Sequence, residues 1–329
     1  VQIGLSGEEV SSTNSTGQVK ITDREVTFTD IEKALNMSKT MKVPNDKTLL
    51  YALPNEYLVD GQNGITDPLG MSGIKLEARS HLIHCSKNTK ENILKCIRSV
   101  SKSLTVTNFY FNQLGVAEVI LSEEQKKLGV CLIDIGAGTT DISVYVNGSI
   151  FFSKVLPYAG DYVTERIALA LDIPQGDAEK IKKKYGCAFS DIASEDILKI
   201  NVSGSPHTVS RKVLAGQIEH SLSKILAHCI SCLEENGLIN YIPGGFVLTG
   251  GCANMEGMVN LGEKITKNNF KIGKPENNLP KKSSKLLKPE FSALLGLVKF
   301  YALEQDKEFT FNQSKGIIAR VLEWIRTEL

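Results

Sequence analysis

The chain has 329 residues, 42% hydrophobic and 23% charged, with 38 Lys and Arg against 37 Asp and Glu for a formal net charge of +1. That is enough apolar side chain for about two globular domains, and it excludes the apolar-poor, charge-rich composition of disorder. The even balance excludes a global basic footprint for nucleic acid, and no run of about 18 apolar residues offers a transmembrane helix.

In chain order, the opening VQIGLSGEEV lacks the basic-then-apolar layout of a signal peptide. Its first residue is Val, which predicts that it begins inside a longer gene product. Seven scattered Cys with no export signal read as reduced thiols of a cytosolic protein. Residues 1–5 read as the end of a strand. Residues 6–84 read as a mixed unit, with strands at 19–21, 24–28, 49–53, 56–59, 74–78 and 81–84. A helix starts at Ile31 behind Asp30 as N-cap. Residues 88–100 read as a helix with Ile93, Leu94, Ile97 and Val100 on one side. Residues 106–111 read as a strand and 114–121 as a short helix. The run Val130-Cys131-Leu132-Ile133 is continuous and apolar, as a strand covered on both faces requires. Strands at 141–145 and 150–155 and a helix at 161–171 follow. Further on come helices at 177–185 and 209–235, a polar and partly looped stretch at 190–206, and a buried strand at 245–249. The remainder reads as a loop at 268–288 holding a strand at 270–272, a helix at 291–303 and a polar linker at 304–315. This alternation predicts an α/β fold.

The strongest chemical signal is Asp134-Ile135-Gly136-Ala137-Gly138-Thr139-Thr140-Asp141 between two strands. Glycines let the backbone bend sharply and approach a ligand, and successive N–H groups in such a turn form an anion nest. Thr139 and Thr140 supply hydroxyls, and Asp134 and Asp141 are carboxylates able to orient hydrated Mg²⁺. A strand follows the turn, which excludes the dinucleotide-binding fingerprint, and no Gly-Lys-Ser/Thr makes it a P-loop. A plain tight hairpin is the competing reading. A second turn, Thr249-Gly250-Gly251-Cys252-Ala253-Asn254-Met255, again follows an apolar strand. Together they suggest a duplicated, two-lobed fold with a ligand between the lobes. Between them, Glu179 and Lys182 lie three apart on one helix face, placed to hold ribose hydroxyls or simply to be solvated.

At this point a resemblance becomes specific. CLIDIGAGTTDISVY resembles the second phosphate loop of the actin-like ATPases, and FVLTGGCANMEGM their adenosine loop. KVLPYAGDYVTERIALAL, DAEKIKKKYGCA, GLSGEEV and NEYLVDGQNGITDPLGMSGIKLEARSHLI resemble the FtsA family of bacterial cell-division proteins, over nearly the whole chain. The resemblance implies an actin-like (ribonuclease H-like) two-lobed ATPase fold with a small inserted α+β subdomain at 6–84 used for self-polymerisation. The first lobe would comprise 1–5 and 85–155 with helix 291–303. The second would comprise 156–290, with a helical part at about 190–243. It implies ATP with Mg²⁺, phosphates on Asp134, Gly136, Ala137, Gly138, Thr139 and Thr140, and ribose and adenosine on Glu179, Lys182, Gly250, Gly251, Ala253 and Met255. Family members begin with a strand and a first phosphate loop of the DIGTSK type, and this chain opens without one, which predicts weakened nucleotide affinity. The water-orienting position of relatives falls near Asn112-Gln113. Asn112 cannot act as a base, so at most a weak ATPase is expected; no catalytic residue is assigned, with Asp134 and Asn112 as weak candidates.

Residues 316–329 have helical periodicity. Ile317, Ile318, Val321, Leu322, Trp324, Ile325 and Leu329 cover an arc of roughly 160°, with Arg320, Glu323 and Arg326 opposite. This reads as an amphipathic membrane-targeting helix, as FtsA-like proteins carry after a linker, or else as a helix docked on the chain's own core. The resemblance also implies partners. The FtsZ C-terminal tail would meet the helix around Arg211, Glu219 and Lys224, and further copies of the chain and other divisome proteins would bind elsewhere. Cys229 and Cys232 form a lone C-x-x-C on an apolar helix face and read as core thiols; His81 and His84 carry no ligand reading. The function expected is a scaffold tethering FtsZ filaments to the inner face of the cytoplasmic membrane at the septum. An actin-fold small-molecule kinase and a pilus-assembly scaffold are the alternatives.

Overall fold

The computed structural model describes residues 1–40, 43–202, 204–275 and 286–311, with side chains described as far as residue 302. Strand β1 (Gln2–Leu5) leads at once into a unit of β2 (Ser11–Lys20), α1 (Phe28–Lys39), β3 (Lys47–Val59), β4 (Gln62–Ile65) and β5 (Lys75–Ser86). The four strands form one antiparallel sheet in the order β2-β5-β3-β4. Ile21, Val26, Ile31, Leu35, Leu76 and Ala78 fill the space between this sheet and α1. The helix lies close because Gly17 leaves room: a Cβ there would fall 1.9 Å from the Ala34 carbonyl oxygen.

Two expectations for this unit are corrected. Residues 24–28 are not a strand. Thr27 is the N-cap of α1 and Asp30 is the third helical residue, closing a capping box in which each side chain meets the other's backbone N–H (3.0 and 3.3 Å). The strands expected at 49–53 and 56–59 are one strand, as are those at 74–78 and 81–84. Pro54 does not break β3, because a register shift between Pro54 and Glu56 absorbs its missing donor.

Next come α2 (Lys87–Val100), β6 (Asn108–Phe111), α3 (Asn112–Ile120), α4 (Glu123–Leu128), β7 (Val130–Ile135), β8 (Thr140–Val146) and β9 (Ser149–Leu156). They are followed by α5 (Gly160–Leu171), α6 (Gln175–Tyr185), β10 (Ile197–Val202), β11 (Ser205–Ser210), α7 (Arg211–Glu235), β12 (Phe246–Thr249), α8 (Met258–Thr266), β13 (Phe270–Ile272) and α9 (Ser292–Phe311). The central sheet has the order β13-β12-β7-β8-β9. β7, β12 and β13 run parallel, and β7, β8 and β9 form an antiparallel meander. The period of two along β7 sends Cys131, Ile133 and Ile135 into the core under α5 and α7, and Val130 and Leu132 into the core under α3. Both faces are covered, as its apolar run requires.

This topology moves the expected lobe boundary. β7–β9 share a sheet with β12 and β13, so a division at residue 155 would cut through one hydrogen-bonded layer; the second lobe starts at β7. The first lobe keeps β1 and β6, paired in parallel from Gln2↔Asn108 to Leu5↔Phe111, together with α3 and α9. The two helices cross glycine to glycine: a Cβ on Gly115 would lie 2.8 Å from the Gly296 carbonyl carbon. The polar stretch at 190–206 runs into an antiparallel hairpin, Ile197↔Ser210 to Val202↔Ser205, whose second strand takes Val209 and Ser210 from the helix expected at 209–235. α9 continues to Phe311, so residues 304–311 are helix where their polar composition reads as linker. Residues 312–315, and with them Ile317, Ile318, Val321, Leu322, Trp324, Ile325 and Leu329, lie outside the described residues.

Candidate functional site at two converging glycine turns

β7 and β8 are joined by residues 136–139, closed by Gly136 N–H donating to Thr139 O (3.0 Å). β12 runs beside β7 with Thr249 opposite Asp134, so the turn after β12 is delivered onto the turn after β7. Gly250 makes that approach possible. Its φ of 85° and ψ of 177° belong to glycine, and a Cβ would fall 2.3 Å from Asp134 Oδ1 and 2.5 Å from Ile135 O. The N-terminus of α5 adds a third backbone: Gly160 N–H donates to Gly136 O (3.1 Å) and Asp161 N–H to Ala137 O (2.8 Å). Three elements therefore meet at the carboxyl ends of β7 and β12, where open α/β sheets bind ligands. Ala137 and Gly138 are exposed at the tip, and nothing lies within 4 Å of a Cβ built on Gly138. Thr139 is half-buried. Thr140 is buried, its hydroxyl donating to Tyr158 O (2.6 Å), so it braces the hairpin from within.

Asp134 and Asp141 are register partners across β7 and β8. No ion pair among the described residues reaches either one. Burial, then the neighbouring charge of Asp141, pushes the Asp134 carboxyl above the usual range. Burial raises Asp141 too, against hydrogen bonds from Ser6 and Thr139. Ser6 Oγ lies 2.8 Å from each oxygen of Asp141, and Thr139 Oγ1 donates to Oδ2 at 3.1 Å. Sequence reasoning missed Ser6 as a site residue; the signal available was a Ser-Gly pair straight after a strand. Asn112 heads α3 against β1, its Oδ1 2.0 Å from where a Gly4 Cβ would stand. Its neighbour Gln113 is buried and serves as a tie, Nε2 donating to Leu132 O (3.3 Å), Asp141 O (3.2 Å) and Ser143 Oγ (3.1 Å).

Glu179 and Lys182 share a face of α6, as their spacing predicts, and both are engaged from below. Lys182 is buried and spends its three protons on Gly160 O (2.8 Å), Thr164 Oγ1 (2.7 Å) and Glu179 Oε2 (2.6 Å). Burial works against the Glu179 charge, but hydrogen bonds from Lys182, Thr164 and Lys183 win and hold its carboxyl at about 2. The pair thus fixes Gly160 against the first turn. In the second turn Gly251 is exposed, Ala253 buried, and Met255 half-buried against the core.

The three residues expected to meet a partner tail are not one patch. Arg211 pairs with Glu256 (2.7 Å), and Glu219 accepts from Ser190 N–H (2.8 Å) and Lys264 (3.0 Å). Lys224 is exposed and sits roughly 140° around α7 from Glu219 at 100° per residue. Cys229 and Cys232 are buried in the second-lobe core.

A five-stranded sheet carrying glycine turns at the ends of β7 and β12, with a helix N-terminus closing on the first, places the chain among the actin-like ATPase folds. Solved structures agree. The PilM–PilN type IV pilus biogenesis complex superposes with a TM-score of 0.61 at 16% identity, covering 90% of this chain and 77% of that one. MreB5 of Spiroplasma citri bound to ADP gives 0.55 at 20% identity, covering 68% of each. The sequence narrows the class. Residues 131–296 match the family described as Cell division protein FtsA, and residues 7–84 the SHS2 domain inserted in FTSA. The cell division protein FtsA of Pseudomonas aeruginosa is 40% identical over 276 residues, 83% of this chain and 66% of that protein. That of Escherichia coli K12 is 34% identical over 336 residues, 99% of this chain and 79% of that protein. The chain belongs to the FtsA family of cell division proteins, and it spans 66% and 79% of the length of these two relatives.

Proposed function

We propose that this chain binds ATP between the two glycine turns, polymerises, and tethers FtsZ filaments to the inner face of the cytoplasmic membrane at the septum, recruiting later divisome proteins there. The observation that carries the nucleotide reading is the contact of the turns, Gly250 against Asp134 with Gly160 closing on Gly136. The exposed tip at Ala137 and Gly138 is open to phosphate oxygens. Two adjacent carboxylates with no ion-paired cation among the described residues suit an oxygen-preferring Mg²⁺, which when bound would neutralise phosphate charge. Asp134 and Asp141 would hold it through water, with the Thr139 hydroxyl beside them. Glu179 and Lys182 act by holding Gly160, and Gly251 and Met255 flank the adenosine side. With Gln113 committed to backbone and Asn112 unable to act as a base, turnover is slow and the protein works as a scaffold.

The tether reading rests on the FtsA membership and on the amphipathic sequence of residues 316–329. On α7, a bound tail meets Lys224 first, since Arg211 and Glu219 are already paired. A two-part experiment tests the proposal. Titration with a fluorescent ATP analogue should saturate in the presence of Mg²⁺, and no binding refutes the nucleotide reading. Anionic vesicles floated with labelled FtsZ should carry FtsZ only with the chain that retains residues 316–329; flotation of the chain alone refutes the partner assignment.

A further inference from the structure

Ser6 occupies a position that no other described residue shares. It follows the last residue of β1, in the first lobe, and precedes residue 7, where the inserted-subdomain match begins. Its hydroxyl nevertheless reaches Asp141 on β8 of the five-stranded sheet, 135 residues away. It stands 2.8 Å from both Asp141 oxygens and 3.1 Å from Thr139 Oγ1, although its own surface is exposed. One hydroxyl has one proton, so it serves either oxygen in turn. Together with Thr139 it supplies the only side-chain hydrogen bonds that the Asp141 carboxylate receives among the described residues. The stalk beyond it is short and pinned. Val10 N–H donates to Gly7 O (3.0 Å), Val10 is buried, and Ser12 Oγ, two residues later at the start of β2, donates to Ser153 O of β9 (2.6 Å). Gly7 to Ser11 thus span from one strand of the β8–β9 pair to the other.

We infer that Ser6 is a positioning residue for Asp141 and the contact through which the inserted subdomain reads occupancy of the nucleotide site. This rests on the nucleotide reading above. Through its bond to Asp141, Ser6 fixes the stalk to β8. When magnesium nucleotide enters, Asp141 turns its oxygens toward the hydrated ion, the Ser6 bond is weakened or exchanged, and the stalk is released at one end while Ser12 keeps the other. The inserted unit keeps its hold on β9, through Ser12 and His81 on Ser153 and Asn14 on Phe151 O, so the part of it that responds to nucleotide is the stalk at residues 7–10.

The test uses the full chain with Ser6→Ala, Ser6→Thr and Asp141→Asn, read by hydrogen exchange over residues 7–13 and by binding of a fluorescent ATP analogue with and without Mg²⁺. In ligand-free protein, S6A and D141N should speed exchange at residues 7–10 by about tenfold, the worth of one hydrogen bond to a charged group, while S6T retains slow exchange. Unsubstituted protein should show the same acceleration on adding magnesium nucleotide, and S6A no further change. Unaltered exchange in both ligand-free variants overturns the tie, whatever happens with nucleotide. The expected ligand-free acceleration in S6A, followed by a further nucleotide-driven acceleration in S6A equal to that of unsubstituted protein, overturns the sensing role. Absence of nucleotide binding by the unsubstituted chain refutes the nucleotide reading and the sensing with it, while the ligand-free comparison still decides the tie.

Discussion

Gly250→Ala is the most exacting perturbation of the site. The residue sits at φ 85°, ψ 177°, a region essentially reserved for glycine, and forcing another residue there costs about 1–3 kcal/mol. Its new Cβ would also lie 2.3 Å from Asp134 Oδ1, 2.5 Å from Ile135 O and 2.7 Å from Ile135 C. Two of those atoms are β7 backbone and cannot swing away, so relieving the overlap costs about a further 1–3 kcal/mol. The expected loss is therefore about 4 kcal/mol, concentrated in the second lobe. Gly251→Ala is the matched control, because a Cβ there meets nothing within 4 Å; it should stay within about 0.5 kcal/mol. Urea unfolding followed by far-ultraviolet circular dichroism reads both. With a slope of about 2–3 kcal/mol per molar, the G250A midpoint should fall by about 1–2 M. A G250A midpoint indistinguishable from that of G251A would refute the claim that the two turns are in contact.

Further outcomes follow from the same geometry. Burial, then the nearby His84, lowers the His81 pKa to about 4, where its ring bridges Asn14 Oδ1 (2.7 Å) and Ser153 Oγ (2.9 Å). The folded state therefore holds it neutral: its contribution is intact above the ordinary value of 6.5 and is lost as pH falls toward 4, by up to about 3 kcal/mol. His81→Gln should flatten the stability profile across that window, and an unchanged slope contradicts the assignment. Lys182→Met takes the buried donor from Glu179 and the Gly160 carbonyl; with Glu179 part-exposed and still held by Lys183 and Thr164, it should cost about 1–3 kcal/mol, measured by urea midpoint against Lys180→Met as control. Gly296→Ala places a Cβ 2.3 Å from the Gly115 carbonyl carbon and should destabilise the α3–α9 crossing by about 1–3 kcal/mol, with faster proteolysis within α9; equal cleavage rates would argue against the crossing.

What sequence could reveal was local. The run at 130–133 announced a strand covered on both faces, the two glycine turns announced themselves, and the three-residue spacing of Glu179 and Lys182 correctly put them together. What it could not reveal depends on chain segments meeting at long range. Nothing in SG at 6–7 says that its hydroxyl will find Asp141, and nothing in the polar stretch 190–206 announces a hairpin. β10 and β11 are held by backbone pairing, with Ile200 and Val202 their only buried side chains. The extent of the central layer is hidden for a related reason: β7 and β12 are more than a hundred residues apart in sequence, and only their pairing shows that they form one layer. The reading of 304–315 as linker relied on polarity, whereas a helix already nucleated by the buried crossing at Gly296 propagates through polar residues at little cost.

The Gly115–Gly296 crossing also sets a timetable for synthesis. The inserted sheet has all its strands by Ser86 and the central sheet by Ile272, so each can close soon after it leaves the ribosome. The first lobe cannot, because Gly296 emerges 181 residues after Gly115 (296 − 115), roughly 10–40 s later at ordinary elongation rates. Throughout that interval the flank of α3 that meets α9 waits uncovered beside the finished inserted sheet, with the central sheet complete only after Ile272. The last described helix, α9, is the keystone of the lobe that also holds β1, and a nascent chain stalled before Ser292 would present that flank to chaperones or to other nascent copies.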